Sequence, residues 1–419
     1  MYLSFGPQCG ALRRLMNSDI KAVIVGGGIL GSSVALHLLR AGVKNCTLLE
    51  RDRVAQATSA AGAGFIDHWA AGSPDSSGSE EIALTDYAID FYRDLNAARS
   101  ESPYRQRGIL WMAATEQDWT YVEKRLTEGP ADARAIEPAQ IEAMTRGVVK
   151  ASGVYRGVLR PRSAQISAEL ATRALGALFT AEGGHLAERT PVVKILEEGG
   201  RITGVVTPHG RIDADIVVLA AGAWTNQLLE PLGQFLPIAP LVVSRIVTEP
   251  LDLPGDLPLL FIRGHASGLP KSVWAREENG RLLFGTVYDT PARYSFVDGE
   301  VPDRLDQVDL DGVLTVQRGA KVLADAIPAF AQYRNFRVKH GVPGFTPDGR
   351  AIVGELPGVR NLYVIAGCNE QGVTHGPGFG RVVAEQITAG KSNLADINAW
   401  RPDRFKDKLT SAREVVAAL

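Results

Sequence analysis

Three cysteines in 419 residues, Cys9, Cys46 and Cys368, are too few and too widely spaced for a disulfide framework or a thiolate cluster. That scarcity suits a reducing compartment, and a cytoplasmic location is the expectation. The seven histidines fall without ligand spacing, so no metal centre is expected. A formal net charge of −2 gives no global attraction to nucleic acid or to an anionic membrane. No apolar run reaches transmembrane length, and internal repeats and low-complexity tracts are absent. Residues 1–19 carry Arg13 and Arg14 but no apolar core of signal-peptide length, which argues against secretion. Met16 stands at a usual starting distance before the first strand, so residues 1–19 read as an N-terminal extension with a dispensable beginning.

What the chain does have is concentrated at residues 21–50, KAVIVGGGILGSSVALHLLRAGVKNCTLLE. An apolar run, a glycine turn, an apolar-periodic helix and a second apolar run ending in an acid follow one another. The glycines stand as Gly26-x-Gly28-x-x-Gly31, with Glu50 closing the next strand. Gly26 permits the sharp turn, Gly28 lets a pyrophosphate approach the backbone, and Gly31 lets helix and strand pack closely. The helix N-terminus offers free N–H groups to phosphates, and Glu50 can accept from a ribose diol. An adenine dinucleotide is the expectation; the motif alone does not separate FAD from NAD.

Further along, periodicity predicts helices over 80–98, 164–182, 312–326 and 376–389. Strands are predicted over 108–112, 153–159, 191–197, 202–207 and 216–219, the last ending in Ala220-Ala221-Gly222-Ala223-Trp224. Residues 72–79 read as a mobile loop. Alternating runs at 241–248, 259–262, 272–276 and 281–286, with a turn at 277–280, suggest the antiparallel sheet of a second domain. A buried strand over 361–366 and a glycine-bounded loop over 367–372 lead into the last helix.

Five segments together carry a resemblance: KAVIVGGGILG with LLERD, ATSAAGAGF, IVVLAAGAWT, ENGRLLFG, and the run from GVPGFTPDGRAIVGE to GFGRVVAEQI. The chain resembles the FAD-dependent amine and amino-acid oxidoreductases grouped with D-amino-acid oxidase, and is most similar to glycine oxidase and sarcosine oxidase. The resemblance implies an α/β chain (α+β overall) with a doubly wound, Rossmann-like FAD-binding domain interleaved with an antiparallel-sheet substrate domain. The expected boundaries are 20–98, 161–232 and 327–419 for the first, and 99–160 and 233–326 for the second. It also implies that Ile29 and Leu30 touch the pyrophosphate and that Glu50 and Arg51 meet the ribose. Ala57, Thr58, Ser59, Gly62 and Gly64 would line phosphates and ring, and Val192 would meet the adenine. Gly222 and Trp224 would border the cofactor, and Gly367, Cys368, Asn369, Gly372, Val373 and Thr374 would wrap the isoalloxazine.

Departures from the family pattern shape the rest. Covalent members attach FAD through a cysteine where this chain has Gly341, so non-covalent FAD is expected. The family's carboxylate-anchoring positions hold Pro343, Glu370, Phe65 and Thr374, and its oxygen-activating lysine position holds Leu283. A carboxylate-anchored amino acid such as glycine or sarcosine is therefore in doubt. Candidate catalytic residues are Glu370, which would hold or deprotonate a substrate ammonium or else face solvent, together with His340 and Tyr288. Arg263, His265, Lys271 and Asn369 are the candidate substrate contacts. Cys368 reads as a packing residue. The function implied is oxidation of a C–N bond in an amine or N-substituted amino acid, with O2 or a redox carrier as acceptor. Two alternatives stay open: a flavin-bound scaffold protein of the same fold without amine turnover, and an NAD(P)-dependent dehydrogenase.

Overall fold

The structure, a computed structural model, describes residues 19–68, 78–127, 131–264, 272–287, 295–296, 301–305, 311–405 and 409–419. The extension at 1–18 and most of the loop expected at 72–79 lie outside the described residues. Two sheets organise the molecule. The first has six strands in the order Ile352–Glu355, Leu362–Ala366, Ile216–Leu219, Lys21–Val25, Asn45–Leu49 and His185–Ala187. All neighbours run parallel except Ile352–Glu355, which is antiparallel to Leu362–Ala366. Such strands are apolar on both sides because both faces are covered. Helices Ile29–Arg40, Ala168–Ala181 and Gly372–Ala389 build the core on one face. The other face packs on a small antiparallel sheet of Lys194–Glu198, Arg201–Thr207 and Gly210–Asp213. Chain order reverses at Lys21–Val25, which leaves a crevice beyond the carboxyl ends of the strands on either side.

The second sheet has eight strands: Phe336–Gly341, Val243–Thr248, Arg281–Thr286, Ser272–Glu278, Leu259–Arg263, Ile109–Ala113, Arg156–Arg160 and Arg134–Ile136. It is antiparallel except where Leu259–Arg263 runs parallel to Ile109–Ala113. Alternation along the strands divides it into two faces. Leu110, Ile246, Leu260, Val273 and Phe284 pack towards helix Asp311–Val322. Trp111, Val247, Phe261, Trp274 and Leu283 form the opposite face.

Several expected boundaries move. The strand Phe336–Gly341 pairs with Val243–Thr248, so residues expected in the nucleotide-binding part belong to the eight-stranded sheet. The helix expected from 164 begins at Ala168, because Ala164–Ile166 forms a strand and the Ser167 hydroxyl then caps the helix by accepting from the Leu170 N–H. The helix expected over 312–326 ends at Val322. The last helix starts at Gly372, four residues early, and carries Pro377 inside it. Proline removes the N–H that would bond the Val373 carbonyl. The buried Tyr92 hydroxyl donates to that carbonyl instead, at 2.9 Å.

Candidate functional site

Between the two sheets lies a cavity of about 410 Å³, bordered by the glycine turn at one end and by the aromatic face of the eight-stranded sheet at the other. At the first end the turn geometry is forced. Gly26 has φ +110° and a Cβ there would stand 2.4 Å from the Ala220 carbonyl oxygen. Helix Ile29–Arg40 starts from Gly28 without a side-chain cap. The Ile29 N–H donates to the Ser59 hydroxyl at 2.9 Å, and Gly28 faces the cavity. A helix N-terminus without a side-chain cap of its own, opening on Gly28 with the Ser59 hydroxyl beside it, suits a phosphate.

Glu50 closes this end. Its Oε2 accepts from the Gly27 N–H at 2.7 Å and its Oε1 from the Asp52 N–H at 2.9 Å. Burial raises its pKa, while the two N–H donors pull the other way. Arg51 stacks on the Trp224 ring at 3.8 Å and pairs with Asp303 at 3.1 Å, which draws the 301–305 segment to the cavity mouth. The Thr58 hydroxyl accepts from the Val342 N–H at 2.9 Å, and the Thr374 hydroxyl donates to the Phe65 carbonyl at 2.9 Å. The first bond ties the turn Thr58–Ala61 to the end of strand Phe336–Gly341, and the second ties helix Gly372–Ala389 to strand Phe65–Ile66. An extended dinucleotide fits this cleft: bare glycine backbone and free helix N–H groups for the pyrophosphate, Glu50 for a ribose, and a roofed far end for a flat ring.

Most residues named from the sequence line the cavity. Gly26, Gly28, Ile29, Leu30, Glu50, Arg51, Ala57, Thr58, Ser59, Gly62, Gly64, Val192, Gly222, Trp224, Gly367, Cys368, Glu370, Gly372, Val373 and Thr374 all do. Gly31 lies behind it, where a Cβ would meet the Gly26 carbonyl oxygen at 1.9 Å. Gly341 also stands back, with Ala61 Cβ 3.2 Å from any added Cβ. Burial pushes the Cys368 thiol up to about 11, which leaves it without nucleophilic thiolate at neutral pH.

Six candidates are not brought to the cavity by their side chains, or cannot be placed there. His340 faces Ser244 across the strand pair and meets its hydroxyl at 3.0 Å through Nδ1, on the sheet face away from the cavity. Burial lowers its pKa. Arg263 stacks over Tyr121 at 4.0 Å and reaches Asp118 at 4.0 Å. The Asn369 amide is buried on Thr346 and the Gly367 carbonyl, so it fastens the loop. His265, Lys271 and Tyr288 lie outside the described residues.

One residue that the sequence reading passed over stands at the far end. Arg245, on strand Val243–Thr248, is 4% exposed and lines the cavity. Its Nη2 donates to Glu370 Oε1 at 2.5 Å, and its guanidinium lies over the Trp274 ring at 4.8 Å. A lone charge inside the apolar run LVVSRIVT was the available signal, because a buried arginine needs a partner and usually a purpose. Glu370 itself sits at φ +65° and its neighbour Asn369 at φ +48°, two consecutive left-handed residues other than glycine.

The fold matches known proteins. The chain is 29% identical over 403 residues to 4-methylaminobutanoate oxidase (formaldehyde-forming) of Paenarthrobacter nicotinovorans, covering 93% of this chain and 46% of the relative. It is 26% identical to the mitochondrial pyruvate dehydrogenase phosphatase regulatory subunit of Mus musculus, covering 92% of this chain and 43% of that protein. The chain thus spans less than half the length of these two relatives. The solved L-proline dehydrogenase from P. horikoshii has the same fold, with a TM-score of 0.76 over 92% of this chain and 98% of that one, at 20% identity. No helix among the described residues is long and apolar enough to cross a membrane. The family model described as FAD dependent oxidoreductase matches residues 21–386, and the chain belongs to that family.

Proposed function

We propose that this chain oxidises a carbon–nitrogen bond of an amine or N-substituted amino acid, with O2 or another redox carrier as the final acceptor. The observation that carries the reading is the Glu370 carboxylate, aimed into the roofed end of the cavity by a strained loop and held there by Arg245. Held by the Gly26–Gly31 turn, Glu50 and the 367–374 loop, FAD would supply the acceptor for the hydride that leaves the carbon beside the nitrogen, and water would hydrolyse the imine so formed to a carbonyl compound and a smaller amine. The chain's residues prepare that step. Glu370 holds the substrate ammonium and accepts one of its protons, because the nitrogen lone pair must be free for the C–H bond to be broken as hydride. Trp111, Phe261 and Trp274 exclude water and flatten the space available to the amine. The cofactor is held without a covalent bond, since Gly341 offers no side chain where covalent relatives have cysteine.

The test is anaerobic. Purified flavoprotein is mixed with primary amines, N-methyl amines and N-methyl amino acids, the last suggested by the relative that acts on 4-methylaminobutanoate. Bleaching of the flavin spectrum by at least one class is expected, and Glu370→Gln slows it by roughly 100-fold. A flavoprotein that no amine reduces would leave the family's fold in a non-catalytic role and sink this reading. Acid denaturation and filtration are expected to release all flavin; flavin retained on the protein refutes non-covalent binding.

A further inference from the structure

We infer that Arg245 is the anion anchor of the substrate end, and that Arg245 and Glu370 together select zwitterions: a carboxylate for the first and an ammonium for the second. This rests on the amine-oxidising reading above. None of the positions at which the family resemblance implies a carboxylate anchor holds arginine or lysine, so the anchor must be sought in the geometry.

The hydrogen-bond inventory of Arg245 is incomplete in one specific place. Nη2 donates to Glu370 and Nη1 donates to the Ser244 carbonyl at 3.3 Å, while Nε is buried without a partner. Nε–H and Nη2–H form one edge of the guanidinium, the edge that takes a carboxylate through two parallel bonds. That edge belongs to a side chain lining the cavity. The rest of the group is fixed. Trp274 lies beneath its plane, and Gly285 on the neighbouring strand makes room for both: a Cβ there would stand 2.6 Å from the Trp274 ring and 3.0 Å from Arg245 Cδ. Arg245 is thus rigid, desolvated and one bond short.

Stability does not account for this pair. Replacing a buried ion pair by apolar residues of similar volume is often neutral or favourable, because desolvation offsets the Coulombic gain. The surroundings here are aromatic, and the Glu370 loop is held in left-handed backbone as well. A neutral pair of opposite charges in such walls accepts a ligand that is itself a neutral pair. A free cation would face Arg245, and a free anion would face Glu370. A zwitterion lets its carboxylate take the Nε–Nη2 edge and frees Glu370 Oε1 for the ammonium, so that no charge in the site is left unpaired.

The experiment uses the FAD-loaded protein. An amino acid that reduces the flavin is compared with its own methyl ester, and acetate, propanoate and benzoate are titrated against the oxidised flavin spectrum. In the wild type the acid is expected to exceed its ester by roughly 100-fold in kcat/KM, and the simple carboxylates to perturb the spectrum saturably. In Arg245→Met, and in Arg245→Met with Glu370→Gln should the single variant not fold, the acid-to-ester ratio falls to about one and carboxylate binding is lost. Arg245→Lys restores part of the ratio, which a packing role would not. Equal reduction by acid and ester in the wild type, or a ratio unchanged by Arg245→Met, overturns the inference. If no amine reduces the flavin, the amine-oxidising reading fails by itself; the carboxylate titration then decides Arg245, and binding unaffected by Arg245→Met refutes its role.

Discussion

Two glycines of one motif should fail in different ways, and the difference can be worked from their surroundings. An added Cβ at Gly31 would lie 1.9 Å from the Gly26 carbonyl oxygen, whereas ordinary contact begins at 3.4 Å. The obstacle is backbone, not the end of a flexible side chain, so helix Ile29–Arg40 must move by about 1.5 Å from the strand turn. That helix is buried along most of its length between Gly372–Ala389 and Ala168–Ala181 and has nowhere to go. Overpacking of this kind costs about 3 kcal/mol at the upper end of its range, and alanine returns about 1 kcal/mol in helix propensity. A net loss of about 2 kcal/mol is expected for Gly31→Ala in the flavin-free protein, with loss of flavin binding because the Ile29 N–H is displaced.

Gly28 is the opposite case. Its φ of −74° and ψ of 179° suit any residue, and the only neighbour of an added Cβ is the Ser59 hydroxyl at 3.2 Å. Gly28→Ala should therefore leave flavin-free stability within about 0.5 kcal/mol. The methyl group would nevertheless stand in the cradle, and FAD affinity should drop by roughly 100-fold, equivalent to about 2.7 kcal/mol. The assays are chemical denaturation of the stripped proteins and titration with FAD followed by quenching of its fluorescence. If Gly31→Ala is as stable as wild type, or if Gly28→Ala binds FAD normally, the division of labour between the two glycines is wrong.

Burial holds His37 at a pKa of about 4, against 6.5 when exposed. The unfolded imidazole takes up a proton that the folded one refuses, so stability present above pH 6.5 is lost as pH falls towards 4, by about 3 kcal/mol in all. His37→Gln should flatten that part of the pH–stability curve, and an unchanged slope would refute the assignment. Tyr92→Phe leaves the Val373 carbonyl without the donor that replaces the missing Pro377 N–H, and about 1–2 kcal/mol of stability should go with it; hydrogen exchange at the start of helix Gly372–Ala389 reads the loss locally. Asp67 receives Arg160 at 3.3 Å and the Ser163 hydroxyl at 2.6 Å, all buried. Asp67→Ala removes the carboxylate beside a buried arginine that keeps its bonds to the Arg125 carbonyl, and should cost about 3 kcal/mol in thermal or denaturant unfolding, while a loss under 1 kcal/mol would mean the network is wet.

The nucleotide end was legible because it is local. Gly26, Gly28, Gly31 and Glu50 act through a single strand–helix–strand unit, and each is needed for a reason that spacing alone conveys. The far end is assembled from residues distant in sequence: strand pairing brings Trp111, Arg245 and Trp274 together, and Glu370 meets Arg245 from the loop after strand Leu362–Ala366. His340 shows what is lost without the register: it stands two residues before Val342, which lines the cavity, yet it lies opposite Ser244 and shares that residue's face. The last helix starts four residues before the expected 376, and the hydroxyl of Tyr92 that compensates for Pro377 lies 281 positions from the carbonyl it serves.

The same contrast explains how substrate residues can change while the fold holds. The cradle consists of backbone atoms in contact with backbone atoms, such as Gly26 on Ala220 and Gly31 on Gly26, so its sequence is constrained by geometry that no side chain can replace. The roof is the cavity-facing side of a sheet whose frame is fixed by its hydrogen bonds and by the core on its other face. Any inward position on that frame can carry the anchoring charge if a neighbour yields the space, as Gly285 does for Arg245. Alternation along strand Val243–Thr248 puts Val243 and Arg245 on the cavity side and Ser244 and Ile246 on the other. A missing anchor at one inward position is therefore no argument against an anchored substrate until every inward position of the roof has been read for charge.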